Sequence, residues 1–256
     1  MATTGNSEFD PQLIVSHKFP EATYTYTQRD AALYALGVGA CAMDAVDDKE
    51  LKFVYHRDGQ QYIQVLPTFA ALFSIGYSET IAEIPGLRYN PHLLLHGQQY
   101  IEIYKPLPSS GSVINRACIA GLHDKGKAAV LEVEIGSYEK ESGDLLCMNR
   151  LSGDYNPLHS DPMVAEVAGF SRPILHGLCT LGFAIRAIIK CVCRGNTNMI
   201  KGISGRFLLH VYPGESIVTE MWLEGLRVIY QVKVKERNRA VLSGFVDLHH
   251  LTTSSL

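Results

Sequence analysis

The chain has 256 residues, of which 46% are hydrophobic and 19% are charged. This composition is typical of an ordered globular protein and excludes a disordered one. The net charge of −3 provides no overall field that would attract nucleic acid or an anionic membrane, so neither is expected as a partner.

Residues 1–20 are polar and interrupted by prolines, which predicts a poorly ordered N-terminal arm. Residues 27–30 match a capping box and predict a first helix that ends near residue 39. Two β-branched and aromatic runs, residues 52–57 and 61–66, flank Asp58-Gly59 and predict a β-hairpin. A helical stretch is then favoured over residues 68–77, after Pro67.

Two similar series of strands follow. The first is predicted at residues 98–104, 112–122, 127–138 and 144–150, where short turns favour an antiparallel meander. The second is predicted at residues 205–214, 216–223, 227–235 and 239–248. Before it lies a long apolar helical stretch, residues 178–193, which suits burial inside a wrapped sheet. Residues 21–150 and 151–253 are therefore interpreted as two α+β halves of an internal repeat.

A polar loop begins the second half, Leu151-Ser152-Gly153-Asp154-Tyr155-Asn156-Pro157-Leu158-His159. Its Tyr-Asn-Pro turn continues neither a strand nor a helix, so Asp154 and His159 can point at one spot. Asp161-Pro162 is typical of a helix start and predicts a short anchoring helix over residues 163–168. Taken singly, Asp154 is also consistent with a turn residue and His159 with a capping or core histidine.

The loop as a whole resembles the active-site signature of the hydratase 2 or MaoC-like dehydratase family, Gly-Asp-x-Asn-Pro-Leu-His after a small residue. Three other runs resemble the same family: Arg172-Pro173-Ile174-Leu175-His176-Gly177-Leu178-Cys179-Thr180, Gly97-Gln98-Gln99-Tyr100 and Tyr212-Pro213-Gly214-Glu215. The resemblance covers nearly the whole chain. It implies a double hot-dog fold, in which the first half binds the acyl chain and the second half carries the catalytic loop.

The resemblance also implies how the loop adds water across a 2-enoyl thioester. Asp154 and His159 hold the water between them and exchange its protons, and Asn156 orients it, which implies syn addition. The backbone N–H of Gly177, at the start of the apolar helix, is the implied donor to the enolate oxygen. Read alone, His176-Gly177 is equally consistent with a helix-entry turn.

Acyl-CoA contacts are implied at residues from both halves. They are His96, Gly97, Lys125, Asp154, Tyr155, Asn156, Pro157, Leu158, His159, Gly177 and Phe207. Lys125 is the candidate contact for a CoA phosphate, and its alternative role is to solvate a hairpin turn. An apolar tunnel for the fatty tail is expected in the first half.

The implied activity is that of an (R)-specific 2-enoyl-CoA hydratase of peroxisomal fatty-acid β-oxidation, acting as a homodimer without a metal, NADP or other redox cofactor. Two alternatives remain open: a hot-dog acyl-CoA thioesterase, and an isoform that binds acyl-CoA or dimerises without catalysis. The six scattered cysteines favour core thiols in a reducing compartment, and no run is long and apolar enough for a membrane span. Ser254-Ser255-Leu256 resembles the peroxisomal import tripeptide, with Ser255 in place of the usual basic residue, which implies an import receptor as a partner.

The junction between the halves is irregular. The strand at residues 144–150 is about three residues shorter than its counterpart at 239–248. Arg150 runs directly into Leu151 of the loop, where a connection of roughly 4 to 6 residues is usual. Members of the resembled family carry several tens of residues here. The chain is therefore expected to lack a crossover segment and the lead-in strand of its second half.

Overall fold

A computed structural model of the chain describes residues 9–74, 76–89, 94–126, 128–151 and 157–250. The helices of the described part are α1 (Pro11–Val15), α2 (Gln28–Gly37), α3 (Asp48–Leu51), α4 (Tyr77–Thr80), α5 (Pro162–Val167) and α6 (Gly177–Cys191). Its strands are β1 (Ala22–Tyr26), β2 (Gln98–Ile103), β3 (Gly111–Asp124), β4 (Ala129–Glu139), β5 (Leu145–Leu151), β6 (Ile200–Phe207), β7 (Ile217–Glu224), β8 (Arg227–Val234) and β9 (Arg239–Leu248). None of the described helices has the length and apolar character needed to cross a bilayer.

The nine described strands form one antiparallel sheet in the order β1-β3-β4-β5-β2-β6-β9-β8-β7. The two halves meet at its centre, where β2 pairs with β6 and Ile101 lies opposite Ile203. Outward from this pair the halves repeat each other, because β5, β4 and β3 on one side correspond to β9, β8 and β7 on the other. The first half adds β1 beyond β3, whereas no described strand lies beyond β7. The α+β double hot-dog architecture is thus confirmed.

The sheet wraps around one apolar segment in each half. In the second half this is α6, whose Leu181, Ala184, Ile185 and Ile188 are fully buried. The first half uses the 3₁₀ helix Pro67–Ser74, in which Phe69 and Ala70 are fully buried. Full burial of each large aliphatic or aromatic side chain stabilises the fold by about 1.5 to 3 kcal/mol. The long helix was predicted to be buried because it is hydrophobic on nearly all sides, and this prediction is therefore confirmed.

Several local predictions are also confirmed. Thr27 and Asp30 form the capping box that starts α2, and Asp161 caps α5 through the N–H groups of Met163 and Val164. Strands β3, β4 and β5 form the expected meander, but β2 does not join β3. Instead β2 lies between β5 and β6, because it forms the contact that joins the two halves.

The predicted hairpin around Asp58-Gly59 is wrong. Residues 52–66 form a turn, the short 3₁₀ helix Gln60–Tyr62 and irregular chain, and a single backbone hydrogen bond joins the two runs, from Gln64 N–H to the Lys52 carbonyl. Phe53 and Leu66 are instead buried individually in the main core. The apolar, β-branched composition of this segment therefore reflects contact with the core and not strand pairing, which is why β-propensity misleads here.

The prediction of a poorly ordered arm is also wrong for its described part, residues 9–20. Asp10 accepts hydrogen bonds from the N–H groups of Gln12 and Leu13, so α1 has a capped start with Pro11 at its first position. Ile14 of α1 is fully buried among isoleucines of other segments, Ile81, Ile84 and Ile119. A single buried side chain thus fixes a short helix that an overall polar composition conceals.

Two strands differ from the prediction, whereas the junction has the predicted strand lengths. Strand β1 was not predicted, and β6 begins at Ile200, five residues before the expected start. At the junction, β5 has 7 residues and β9 has 10, as the sequence indicates. Leu151 pairs with Val133 of β4 and with Gln99 of β2, so the short strand has neighbours on both sides up to its last residue.

Candidate active site

Part of the predicted loop lies outside the described residues. This part contains Asp154, Tyr155 and Asn156, and the C-terminal Ser254-Ser255-Leu256 lies outside as well. The roles assigned to these residues stay predictions. The described part of the loop begins with the 3₁₀ helix Pro157–His159.

His159 is fixed from two sides. The preceding Leu158 is 1% exposed and packs with Ala165 of α5 and with Ile174, so the predicted anchoring helix holds the end of the loop. The imidazole Nδ1 lies 3.0 Å from the carbonyl oxygen of Ile174. Because a carbonyl oxygen can only accept, Nδ1 carries the proton and Nε2 of the neutral ring is left with a lone pair. Burial lowers the pKa of His159, which favours this neutral form.

The start of α6 leaves one backbone donor unused. His176 is the N-cap, and its Nδ1 accepts from the N–H of Leu178 at 3.0 Å. The N–H groups of Cys179 and Thr180 donate to the His176 carbonyl at 3.0 and 3.3 Å. Among the described residues the N–H of Gly177 has no acceptor. An unpaired N–H at the positive end of a 15-residue helix is suited to bind an oxyanion.

Gly177 is also required for steric reasons. A Cβ atom built at this position would lie 2.8 Å from Cε1 of Phe207, at the end of β6. The aromatic ring therefore lies directly against the glycine backbone, and a larger residue would displace it. Close approach of Phe207 explains the glycine without any need for a positive φ angle.

His96 supplies a third imidazole. Its ring lies 5.1 Å from that of Phe207 and 6.3 Å from that of His176, which is itself 4.6 Å from His159. Burial, followed by the neighbouring His176, lowers the pKa of His96 to about 4, so the ring is neutral at pH 7. Its Nε2 atom is buried and has no hydrogen-bond partner among the described residues.

These groups open into one cavity of about 340 Å³. Its described lining is mostly apolar and comes from both halves: Leu95, His96, Gly97, Leu158, His159, Phe170, Ile174, Leu175, His176, Gly177, Thr180, Phe207, Leu208, Leu209, His210, Val211 and Val241. The structure thus brings together His96, Gly97, Leu158, His159, Gly177 and Phe207 of the predicted set. Lys125 does not line this cavity; it lies exposed in the turn between β3 and β4, and its role stays a prediction.

Both halves of the chain match known domain families. Residues 24–153 match the MFE-2 hydratase 2 N-terminal domain, and residues 142–244 match the MaoC like domain. An Arabidopsis thaliana protein named peroxisomal enoyl-CoA hydratase 2 is 55% identical, over 98% of this chain and 99% of its own. The chain belongs to the MaoC-like hydratase 2 family.

Solved structures support the fold of this hydratase 2 family member. A MaoC-like dehydratase from Phytophthora capsici superimposes with a TM-score of 0.81 at 29% identity, over 96% of this chain and 100% of its own. A Mycobacterium tuberculosis protein described as having a double hotdog fold aligns with a TM-score of 0.53 at 13% identity, over 91% of this chain and 96% of its own. At that identity the second likeness concerns the fold alone.

The Arabidopsis alignment also bears on the irregular junction. It runs over 306 positions although it contains only 98% of the 256 residues of this chain, so about 55 positions have no counterpart here. The two domain matches overlap over residues 142–153, which include β5 and the start of the loop. An overlap at this point is what a shortened junction would produce, because one strand then serves as the end of one domain and the beginning of the next.

Sequence reasoning missed part of the cavity. Phe170 and His210 line it, but neither of them lies in a sequence motif that indicates function. The Tyr212-to-Glu215 motif acts indirectly, because the Glu215 carboxylate accepts from the Tyr212 N–H at 2.7 Å and from Arg237 at 2.8 Å. The same guanidinium donates to the His210 carbonyl at 2.7 Å. The motif therefore holds in place the chain segment that forms one wall of the cavity.

Proposed function

We propose that this chain is an (R)-specific 2-enoyl-CoA hydratase that converts trans-2-enoyl-CoA reversibly to (3R)-3-hydroxyacyl-CoA in peroxisomal fatty-acid β-oxidation. The observation that carries the proposal is the cavity in which the neutral imidazole of His159 lies together with the N–H of Gly177, which has no acceptor among the described residues. Similarity to the Arabidopsis hydratase over the full length of both chains supports the substrate class and the compartment.

The hydration step requires three groups. A base takes a proton from water as the water oxygen bonds to C3 of the enoyl group, an acid gives a proton to C2, and a donor stabilises the negative charge on the thioester oxygen. His159, with a lone pair on Nε2, and Asp154 are assigned to the two proton transfers, and Asn156 to orienting the water. A proton taken from water and one delivered to C2 leave the site unchanged after each turnover.

Gly177 is assigned to the oxyanion. As the first residue of α6 it presents its N–H at the helix terminus, where the aligned peptide dipoles also favour negative charge. The apolar walls of the cavity strengthen this interaction, because they exclude competing water. His96, Gly97 and Phe207 are assigned to contacts with the acyl-CoA, and Lys125 to a CoA phosphate.

The test is one spectrophotometric assay with a trans-2-enoyl-CoA in the presence of a thiol reagent. A hydratase removes the conjugated enoyl absorbance and releases no thiol, whereas a thioesterase releases CoA thiol. Oxidation of the product by a dehydrogenase specific for (3R)-3-hydroxyacyl-CoA checks the configuration. His159→Gln is expected to abolish most of the activity, and His249→Gln, at an exposed histidine, serves as the matched control. Acyl-CoA binding without turnover in the wild type would favour the non-catalytic isoform.

We further propose a homodimer that needs no NADP, and import through Ser254-Ser255-Leu256 by the peroxisomal receptor. The support is the resemblance of these residues to the import tripeptide and of the chain to peroxisomal relatives. Light scattering on the purified chain measures its mass, an assay without added nucleotide tests independence from NADP, and fluorescence microscopy of a tagged chain tests import.

A further inference from the structure

Strand β7 differs from its counterpart in the first half. There, β1 covers the outer edge of β3, with Tyr24 opposite Val113 and Ala22 opposite Asn115. Val113 and Asn115 are each 1% exposed as a result. At the other end of the sheet β7 occupies the position of β3, and no described strand pairs with its outer edge.

The missing neighbour leaves apolar surface uncovered. On the core-facing side of β8, Val228, Tyr230, Val232 and Val234 are at most 1% exposed. Their partners on the same face of β7 are Leu223, Met221, Thr219 and Ile217. Leu223 is 50% exposed and the other three are half-buried. The exposure therefore arises from the open edge and not from the orientation of the strand.

The hydrogen-bonding groups of this edge can be assigned from the hairpin. Gly225-Leu226 is a two-residue turn between Glu224 and Arg227, which makes that closing pair a hydrogen-bonded one. At the opposite end the Lys235 N–H donates to the Ser216 carbonyl, so Ser216, like Glu224, is an even-numbered residue in a hydrogen-bonded pair. Because hydrogen-bonded pairs alternate in antiparallel strands, even-numbered residues of β7 bond to β8. The N–H and C=O groups of Thr219, Met221 and Leu223 accordingly point away from the sheet.

We propose that the open edge of β7 pairs antiparallel with β7 of a second copy of this chain, about a two-fold axis at Met221. Such an axis, perpendicular to the sheet, keeps the core-facing side chains of both copies on the same side. Met221 then lies opposite its own copy, and Thr219 lies opposite Leu223. These are the residues whose backbone groups point outward, so each pair exchanges two hydrogen bonds.

Charge selects this register over its neighbours. With the axis at Met221, each Glu220 lies opposite Trp222 of the other copy, and each Glu224 lies opposite Val218. An axis at Glu220 would place Glu220 of one copy directly opposite Glu220 of the other. An axis at Trp222 would place Glu220 opposite Glu224 of the other copy, at two positions. Like charges directly opposite each other destabilise a sheet. The strand has neither proline nor lysine, the residues that usually protect an edge against such pairing.

The test uses two variants at one exposed site. Trp222 is 51% exposed, so Trp222→Glu and Trp222→Lys lose the same indole contacts and spare the core. In the proposed register Trp222→Glu sets a carboxylate against Glu220 at two places in the dimer, and Trp222→Lys sets an ammonium there. Sedimentation of the full chain in a concentration series is expected to give a dimer Kd about tenfold or more higher for Trp222→Glu than for Trp222→Lys.

Cysteine cross-linking checks the axis. Met221→Cys should form a reducible covalent dimer under mild oxidation, because only the residue on the axis meets itself. Thr219→Cys, which lies opposite Leu223, should form no more dimer than the wild type with its six cysteines. A wild type that is monomeric at every concentration would overturn the proposal, and slow amide exchange at residues 217–223 of that monomer would show that the chain covers the strand itself. Equal Kd values for the two Trp222 variants would also overturn it.

Discussion

The buried imidazole of His96 makes the stability of this protein depend on pH, and His96→Gln should remove that dependence. Burial lowers the pKa of His96 to about 4, whereas the same group in an unfolded chain has a pKa of about 6.5. Between these values the unfolded state binds a proton that the folded state does not. The contribution to stability is therefore present above pH 6.5 and is lost as the pH falls towards 4.

The size of the effect follows from the pKa difference. A pH of 5 lies about 1.5 units below the pKa of the imidazole in the unfolded chain. The free energy of unfolding is therefore about 2 kcal/mol lower at pH 5 than at pH 7. In a chain of this size that amounts to a decrease of about 4 to 8 °C in Tm. His96→Gln should lose less stability than the wild type between pH 7 and pH 5, by about 2 kcal/mol. Burial also lowers the pKa of His159 and His210, but both are present in either protein and cancel in the difference.

Urea unfolding at pH 7 and pH 5 measures this difference, with thermal melting as a second readout. His249→Gln is the control, because its side chain is exposed and the substitution leaves His96 in place. Glutamine at position 96 also changes stability by an amount that does not depend on pH. This amount cancels, because only the change in stability between the two pH values is compared. If the free energy of unfolding falls equally in the wild type and in His96→Gln between pH 7 and pH 5, His96 is not held neutral by burial in the folded protein.

Three further predictions concern the loop, the tail and the junction. Asp154→Asn and His159→Ala should each lower kcat by roughly 10² to 10⁴ with a nearly unchanged Tm, and wild-type activity in either variant would exclude its assigned proton transfer. Removal of residues 254–256 should leave activity intact and move the protein to the cytosol, as microscopy would show. Insertion between Arg150 and Leu151 of a crossover segment taken from the Arabidopsis relative should raise Tm and kcat/KM, because the expected lead-in strand would give β7 a neighbour and the longer connection would free the loop from β5. Equal Tm and kcat/KM in the two proteins would show that the halves pack correctly without the segment.

The elements that build the candidate site could be predicted where their signals are local. A helix cap, a proline at the first helical position and a glycine at the helix entry each act over a few residues, which is why Asp161, Pro162 and Gly177 occupy their predicted places. The same holds for the apolar helix α6. It is hydrophobic on nearly all sides, so its burial could be predicted without knowledge of its neighbours. His96 and Gly97 reached the cavity too, although only the family resemblance, and no local pattern, indicated them.

Local patterns failed where a distant contact decided the outcome. Residues 52–57 and 61–66 have the composition of strands, but the core takes up Phe53 and Leu66 separately and leaves no pair of strands. Residues 9–20 have the composition of a disordered arm, but the cluster of isoleucines around Ile14 orders α1. In both cases the free energy of burying one large side chain, about 1.5 to 3 kcal/mol, exceeds the backbone preferences of a short segment.

The sequence by itself therefore determined the two α+β halves, the start of each major helix, the loop with its histidine, and the short junction between β5 and the loop. Tertiary structure alone decided that β2 joins the halves between β5 and β6, that β7 has an open edge among the described strands, and that three imidazoles meet at one cavity. It also decided that burial lowers the pKa of His96 and of His159. Helix caps and strand alternation depend on neighbours along the chain, whereas strand order and a lowered pKa depend on groups brought together from distant parts of it.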